Sequence, residues 1–195
     1  MTSNRRIGTE SSDTRRQLLI AAGELMREEG YAEVTSRKLA QRAGLKPQLV
    51  HYYFRTMGDL FEALFKFSTE RYLAQLDRIA TEKAPLARLF ELNSDPAGAT
   101  MQLEFLALAN HRKEMHELIA AFGQELNTRV ATIVRAEFAD QGALFPNVTP
   151  EEIAAILEAV ARGLAFSGRF NEDRFAGTRK VVSTWLQAVA TNPRP

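Results

Sequence analysis

The stretch Lys46-Pro47-Gln48-Leu49 holds side chains that can do chemistry on a base pair. A glutamine amide can pair with adenine N6 and N7. Leucine or proline can pack on a thymine methyl, and lysine can reach a guanine or a phosphate. The same residues can open a helix, because the N–H that Pro47 lacks would have no partner in a first turn. Just upstream, Thr35, Ser36 and Arg37 open another helix, whose N-terminal N–H groups favour a phosphate.

The charge pattern agrees. Residues 35–55 contain Arg37, Lys38, Arg42, Lys46 and Arg55 and no acidic residue. Residues 1–60 hold ten Lys and Arg against seven Asp and Glu, a local +3, while the remainder holds 15 against 17, a local −2. A basic segment on a chain of net charge +1 suits a phosphate-bearing partner. Counts alone would also fit a solvated face with clustered charge.

Other chemistry has less support. With no cysteine there is no thiol nucleophile, disulfide or thiolate metal site. His111 and His116 are five residues apart, roughly 140° around a helix, so they do not share a face as a zinc pair spaced by four would. No nucleophile elbow, Gly-rich phosphate loop or paired catalytic carboxylate stands out. Glu151-Glu152, after Thr149-Pro150, reads as an acidic first turn that complements the helix dipole. No catalytic residue, metal or cofactor is expected. Apolar runs such as Leu18 to Ala22 fall far short of the roughly 20 residues of a membrane span, and the N-terminus lacks a signal-peptide core. The expectation is a soluble, cytoplasmic protein that is not an enzyme.

These residues need elements to hold them, and the periodicity is helical throughout. Residues 1–11 read as a flexible arm. A helix capped by Ser12 or Asp13 carries Leu18, Leu19, Ala22, Leu25 and Met26 on one stripe and ends at Gly30. Thr35 or Ser36 caps a short second helix with Leu39, Ala40 and Ala43. Gly44 makes the turn, Leu45 plugs it, and a third helix runs from about Pro47 to Phe54, with Val50 and Phe54 as its anchors. Thr56 and Asp59 form a capping-box pattern that opens a long helix bearing Leu60, Phe61, Leu64, Phe65, Tyr72 and Leu76. Further helices fall near 86–93, 96–109, 112–140, 150–168 and 173–190, with Asn110-His111 as a bend or a break. Loops cover 141–149 and 168–172. The fold class is all-α: a three-helix N-terminal bundle with a helix-turn-helix over residues 12–56, and a larger helical domain over 57–195. In a helix-turn-helix the second helix enters the major groove and its N-terminal residues meet base edges.

Val34 to Leu45, followed by Leu49-Val50-His51-Tyr52-Tyr53-Phe54, with Gly30-Tyr31 ahead and Asp59-Leu60 behind, resembles the TetR family of bacterial transcriptional repressors. The resemblance covers about residues 12–65. It implies a homodimer that binds a palindromic DNA operator and is released by a small molecule. It places DNA contacts at Thr35, Ser36, Lys46, Gln48, Leu49, His51 and Tyr52, with His51 and Tyr52 on phosphates. Three positions depart from the pattern: Lys46 replaces a serine, His51 a tyrosine, and Met57 a phosphate-reaching lysine. Lys46, His51 or Arg55 stands in for that lysine. The alternative is a helical ligand-binding module or small enzyme whose helix-turn-helix only packs.

For the effector, the helix from Met101 to Asn110 mixes apolar and amide groups. Lined against Phe65, Phe122 and Phe166, it would enclose a small hydrophobic ligand around Phe105, with Gln102 or Asn110 as polar anchor. Most phenylalanines in such a unit are ordinary core. For the dimer, Ile153, Leu157, Val160 and Leu164 form one near-heptad stripe and Val182, Trp185, Leu186 and Val189 a second, which can build a four-helix bundle across two subunits. Part of both stripes must serve the subunit's own core.

Overall fold

A computed structural model describes residues 13–138 and 147–191. The expected N-terminal arm, the Ser12 cap, residues 139–140 and most of the 141–149 loop lie outside those residues. Among the described residues there are nine α-helices, one 3-10 turn and no strand. The helices are α1 (Asp13–Glu29), α2 (Ser36–Arg42), α3 (Pro47–Tyr53), α4 (Met57–Ile79), α5 (Pro85–Ser94), α6 (Pro96–Ala109), α7 (Lys113–Phe138), α8 (Pro150–Gly168) and α9 (Glu172–Thr191). The 3-10 turn is Tyr31–Glu33. Asn110 and His111 form a turn that separates α6 from α7.

The helices group into two compact units: Met1–Arg71 with Met101–Leu118, and Tyr72–Thr100 with Ile119–Pro195. This differs from the division expected between residues 56 and 57. The reason is packing rather than composition. Leu60, Phe61, Leu64 and Phe65 of α4 are buried within the first unit, and Phe65 meets Phe105 edge to face at 5.1 Å. A continuous helix can serve two cores, and no turn signal marks the change.

In the first unit every position of the α1 stripe, Leu18, Leu19, Ala22, Leu25 and Met26, is buried. Leu39 and Ala40 of α2, Val50 of α3 and Phe54 just after it are buried as well. The Thr56–Asp59 box is formed reciprocally. Thr56 N–H donates to Asp59 Oδ2 and Asp59 N–H to Thr56 Oγ1, each at 3.0 Å. The α6–α7 segment is tied in by Glu104, whose Oε2 accepts from Tyr31 N–H at 2.7 Å.

In the second unit a core of Leu76, Ile79, Leu86, Leu89, Leu126 and Val130 with their neighbours is flanked by Tyr72, Phe122, Ile153 and Leu157. A smaller cluster gathers Phe90, Ala161 and Leu164, with Val182 and Leu186 against it. The start of α8 is a full capping box. Thr149 N–H donates to Glu152 Oε2 at 2.7 Å, and Glu152 N–H to Thr149 Oγ1 at 3.2 Å. Glu152 is thus a specific cap, beyond the general dipole role its sequence suggested, and Glu151 pairs with Arg135.

Glu158 on α8 is less well served. Its side chain is 11% exposed, and Arg162 Nη2 comes no closer than 3.5 Å. Its Oε1 is buried without a hydrogen-bond partner among the described residues. Burial raises its pKa above 4.5, and the nearby Arg162 offsets this only in part. A raised folded value means that the folded chain holds the proton to higher pH than the unfolded chain does. Ionised Glu158 therefore costs stability at neutral pH, and the cost fades as pH falls through the raised value. Glu158→Gln should raise the melting temperature at pH 7 by a few degrees, on the order of 1 kcal/mol. Thermal melts across pH check this. The gap to the wild type should close as pH approaches the ordinary carboxylate range, and a gap independent of pH would refute the account.

Candidate nucleic-acid interface

The second and third helices are joined by a turn that the backbone specifies almost alone. Thr35 is extended and caps α2, its Oγ1 accepting from Lys38 N–H at 3.3 Å. At the other end Gly44 adopts φ 66°, a left-handed conformation that favours glycine. Gly44 N–H donates to Gln41 O at 3.2 Å and Leu45 N–H to Ala40 O at 2.9 Å, the paired bonds of a Schellman motif. Leu45 is only half-buried and so is not the buried plug expected of it, since its backbone is spent on closing the end of α2. Lys46 then returns to an extended conformation, and Pro47 starts α3 as its first helical residue.

This geometry divides α3 into two faces. Val50 is 1% exposed and Phe54, at its C-cap, 3%. Lys46, Pro47, Gln48 and His51 are exposed, Leu49 is half-buried, and Tyr52 is 43% exposed. Tyr52 and Tyr53 meet edge to face at 5.0 Å, with Tyr53 half-buried. Thr35 and Arg37 are exposed and Ser36 is half-buried. Met57 is half-buried at the first turn of α4, and Arg55 just before it is exposed.

The electrostatics differ from the sequence count. Lys38 Nζ lies 2.7 Å from Glu29 and 2.6 Å from Glu33. Arg42 bonds Glu28 at 2.7 Å, with Glu29 at 3.7 Å and Glu24 at 3.9 Å. The hydrogen bond from Arg42 holds Glu28 below the usual carboxylate range, and the one from Lys38 does the same for Glu33. Two of the five basic residues between 35 and 55 are therefore neutralised by α1 and the 3-10 turn. Among the described residues Arg37, Lys46 and Arg55 have no such ion pair. The sequence window missed this because the acids lie outside it.

The six residues expected to enclose a ligand divide between the units. Phe65, Gln102, Phe105 and Asn110 belong to the first, Phe122 and Phe166 to the second. Phe65 and Phe105 are buried against each other, and the two amides are exposed rather than set as anchors in an enclosed pocket. Gln102 lies on the outer side of its helix, and Asn110 lies in the turn after it. In the second unit Phe122 packs on Tyr72, with ring centroids 6.1 Å apart, and Phe166 is half-buried. None of the six lines the open polar cleft of about 460 Å³ between α5 and α9.

The residues of the two dimer stripes divide in a similar way. Ile153, Leu157, Leu164, Val182 and Leu186 pack on the subunit's own clusters, and Val189 is half-buried. Ile156 at 59%, Val160 at 41%, Val181 at 46% and Trp185 at 66% are the large apolar side chains that α8 and α9 leave exposed among the described residues. On a helix Ile153, Leu157, Val160 and Leu164 fall within an arc of about 60°, with Val160 at its outer edge and Ile156 about 40° beyond it.

Among the described residues no helix is long and apolar enough to cross a membrane. Comparison with known proteins supports the organisation read above. The Vibrio vulnificus nucleoid occlusion factor SlmA is 24% identical over 148 residues, 71% of this chain and 76% of that protein. A putative transcriptional regulator from Saccharomonospora viridis, solved in complex with choline, shares the fold with a TM-score of 0.75 at 19% identity, over 89% of this chain and 95% of that one. The regulator FadR from Bacillus subtilis, solved in complex with stearoyl-CoA, does so with a TM-score of 0.70 at 18% identity, over 88% and 96%. The family model for the tetR family of bacterial regulatory proteins matches residues 18–64, which contain the helix-turn-helix. The model for the C-terminal part of BetI-type transcriptional repressors matches residues 80–191, more than half of the chain. The chain therefore belongs to the tetR family of bacterial regulatory proteins, with a C-terminal part of the BetI type.

Proposed function

We propose that this transcriptional regulator is a homodimeric repressor, held on a palindromic DNA operator and released by a small hydrophobic molecule. The observation that supports this most is the division of α3. Val50 and Phe54 fix the helix, and Lys46, Pro47, Gln48 and Leu49 stand at its outer end. Gln48 and Leu49 are assigned to base edges. Thr35, Ser36, Arg37, His51 and Tyr52 are assigned to the backbone, with Lys46 serving either. The chain works in the cytoplasm and catalyses no reaction.

A dimer carries two copies of α3, and successive major grooves require them about 34–36 Å apart. Ile156, Val160, Val181 and Trp185 are the apolar surface assigned to that dimer, in place of the wholly heptad set. The effector binds the second unit. The two regulators named above were solved with choline and with stearoyl-CoA, ligands of very different chemistry, so the fold leaves the ligand class open to side-chain choice. Release follows if the effector binds more tightly to a state in which the two reading helices are wrongly spaced.

A gel shift against the DNA flanking the coding sequence tests the reading directly, and absence of binding at low salt would sink it. Within a binding complex, Gln48→Ala should change base preference at its position by about 1–3 kcal/mol. Tyr52→Phe should weaken binding to every duplex alike, as checked by anisotropy titrations on a panel of single-base variants. Trp185→Asp should loosen the dimer by roughly 2 kcal/mol or more, about 30-fold in dissociation constant. Sedimentation analysis of the variant checks this, and an unchanged dimer would place the interface elsewhere.

A further inference from the structure

The first turn of α4 directly follows the reading helix, yet Met57, Gly58, Asp59 and Leu60 supply no cation of their own. One arrives from a distant part of the sequence. Arg112, in the turn between α6 and α7, lies against Gly58. A methyl group added at Gly58 would sit 3.0 Å from Arg112 Nη1 and 3.3 Å from Thr56 Oγ1. Glycine inside a helix costs about 0.5–1 kcal/mol relative to alanine. Here its lack of a side chain provides the space that lets a guanidinium approach the helix so closely.

Three further observations give this placement a purpose. Arg112 is exposed, and no acidic side chain pairs with it among the described residues, whereas Lys38 and Arg42 of the helix-turn-helix are both spent on glutamates. Arg112 belongs to the same compact unit as α2 and α3. The chain reaches α4 from exposed His51 and Tyr52 through exposed Arg55 and Thr56, so Arg112 extends a surface that already holds the candidate backbone contacts. A helix seated in the major groove has a phosphate strand along either side.

We propose that Arg112 is a DNA-backbone contact of this regulator, supplying from the α6–α7 turn the positive charge that Met57 does not. The proposal rests on the DNA-binding reading above. It adds a residue outside the helix-turn-helix to the contact surface. It also makes that contact depend on where the α6–α7 turn sits, a turn linked through α6 to Glu104 and its bond with Tyr31.

The test is the salt dependence of binding by the full chain to a labelled duplex of mixed sequence, measured by anisotropy. Loss of one phosphate contact lowers the slope of log K against log salt by about 0.9 per bound subunit. Arg112→Gln should show that loss, as should Arg112→Met. Arg112→Lys should keep the wild-type slope. Met57→Lys placed in the Arg112→Gln chain should restore it, which a merely structural role for Arg112 would not allow. A wild-type slope in both Arg112→Gln and Arg112→Met overturns the proposal while leaving DNA binding intact. Failure of the wild-type chain to bind the duplex at low salt overturns the DNA-binding reading, and this proposal with it. Arg112 is exposed, so its substitution should leave the melting temperature essentially unchanged.

Discussion

The interface depends on how little of α3 is buried. A seven-residue helix is too short to persist alone in water. Its stability must come from the few side chains it commits to the core, and those are Val50 and, at its C-cap, Phe54. Everything on the outer side, from Lys46 to Tyr52, is oriented by that anchorage and by the Gly44 turn that sets the entry direction. The backbone bonds of Gly44 and Leu45 fix the turn without a side chain, so the reading end stays free of structural duty. A side chain that must contribute to folding is poorly placed to exchange partners with DNA, and here the two roles fall on different residues.

The same separation governs charge. Lys38 and Arg42 lie within the helix-turn-helix sequence but face α1 and the 3-10 turn, where Glu24, Glu28 and Glu29 of α1 and Glu33 of the turn take them up. Such exposed pairs contribute little stability each. Their larger effect is to remove two cations from the outward surface. What remains, Arg37, Lys46 and Arg55, lies at the start of α2, the start of α3 and the approach to α4. The basic surface is therefore smaller and more localised than residue counts imply.

This explains which features were legible in the sequence. The α1 stripe, the Thr35 cap, Gly44, Pro47 and the Thr56–Asp59 box are local features, each set by residues within a turn of one another, and each is found where its spacing predicts. The features that sequence reading did not reach depend on partners far along the chain. Glu104 meets Tyr31 across 73 residues, and Arg112 meets Gly58 across a comparable span. No periodicity encodes such meetings. Phe65 and Phe105 were rightly placed near each other, but they are buried edge to face as core. The exposure of Gln102 and Asn110 likewise depends on helix rotation, which a run of mixed apolar and amide residues does not fix.

Helix rotation also decides the meaning of α8 and α9. The subunit's own core takes Ala154, Ala161 and Leu164 on one side of α8, and Ile153 and Leu157 lean on that core from the edge. Ile156 and Val160, about 100–160° around the helix from Ala154 and Ala161, are left exposed. On α9, Ser183 is buried and donates to Glu91 at 2.6 Å, which turns Val181 and Trp185 outward. Trp185 is two-thirds exposed, and Ile156, Val160 and Val181 are exposed as well, apolar area that water disfavours at about 25 cal/mol for each Å² left uncovered. Scattered apolar residues need no explanation, but a set ordered along two helices does. In the dimer proposed above, a second copy would offer the same set under two-fold symmetry, so one surface would suffice for both partners. By burying Leu164 and Ser183 inward, the intramolecular core selects which large apolar residues of α8 and α9 are left facing outward.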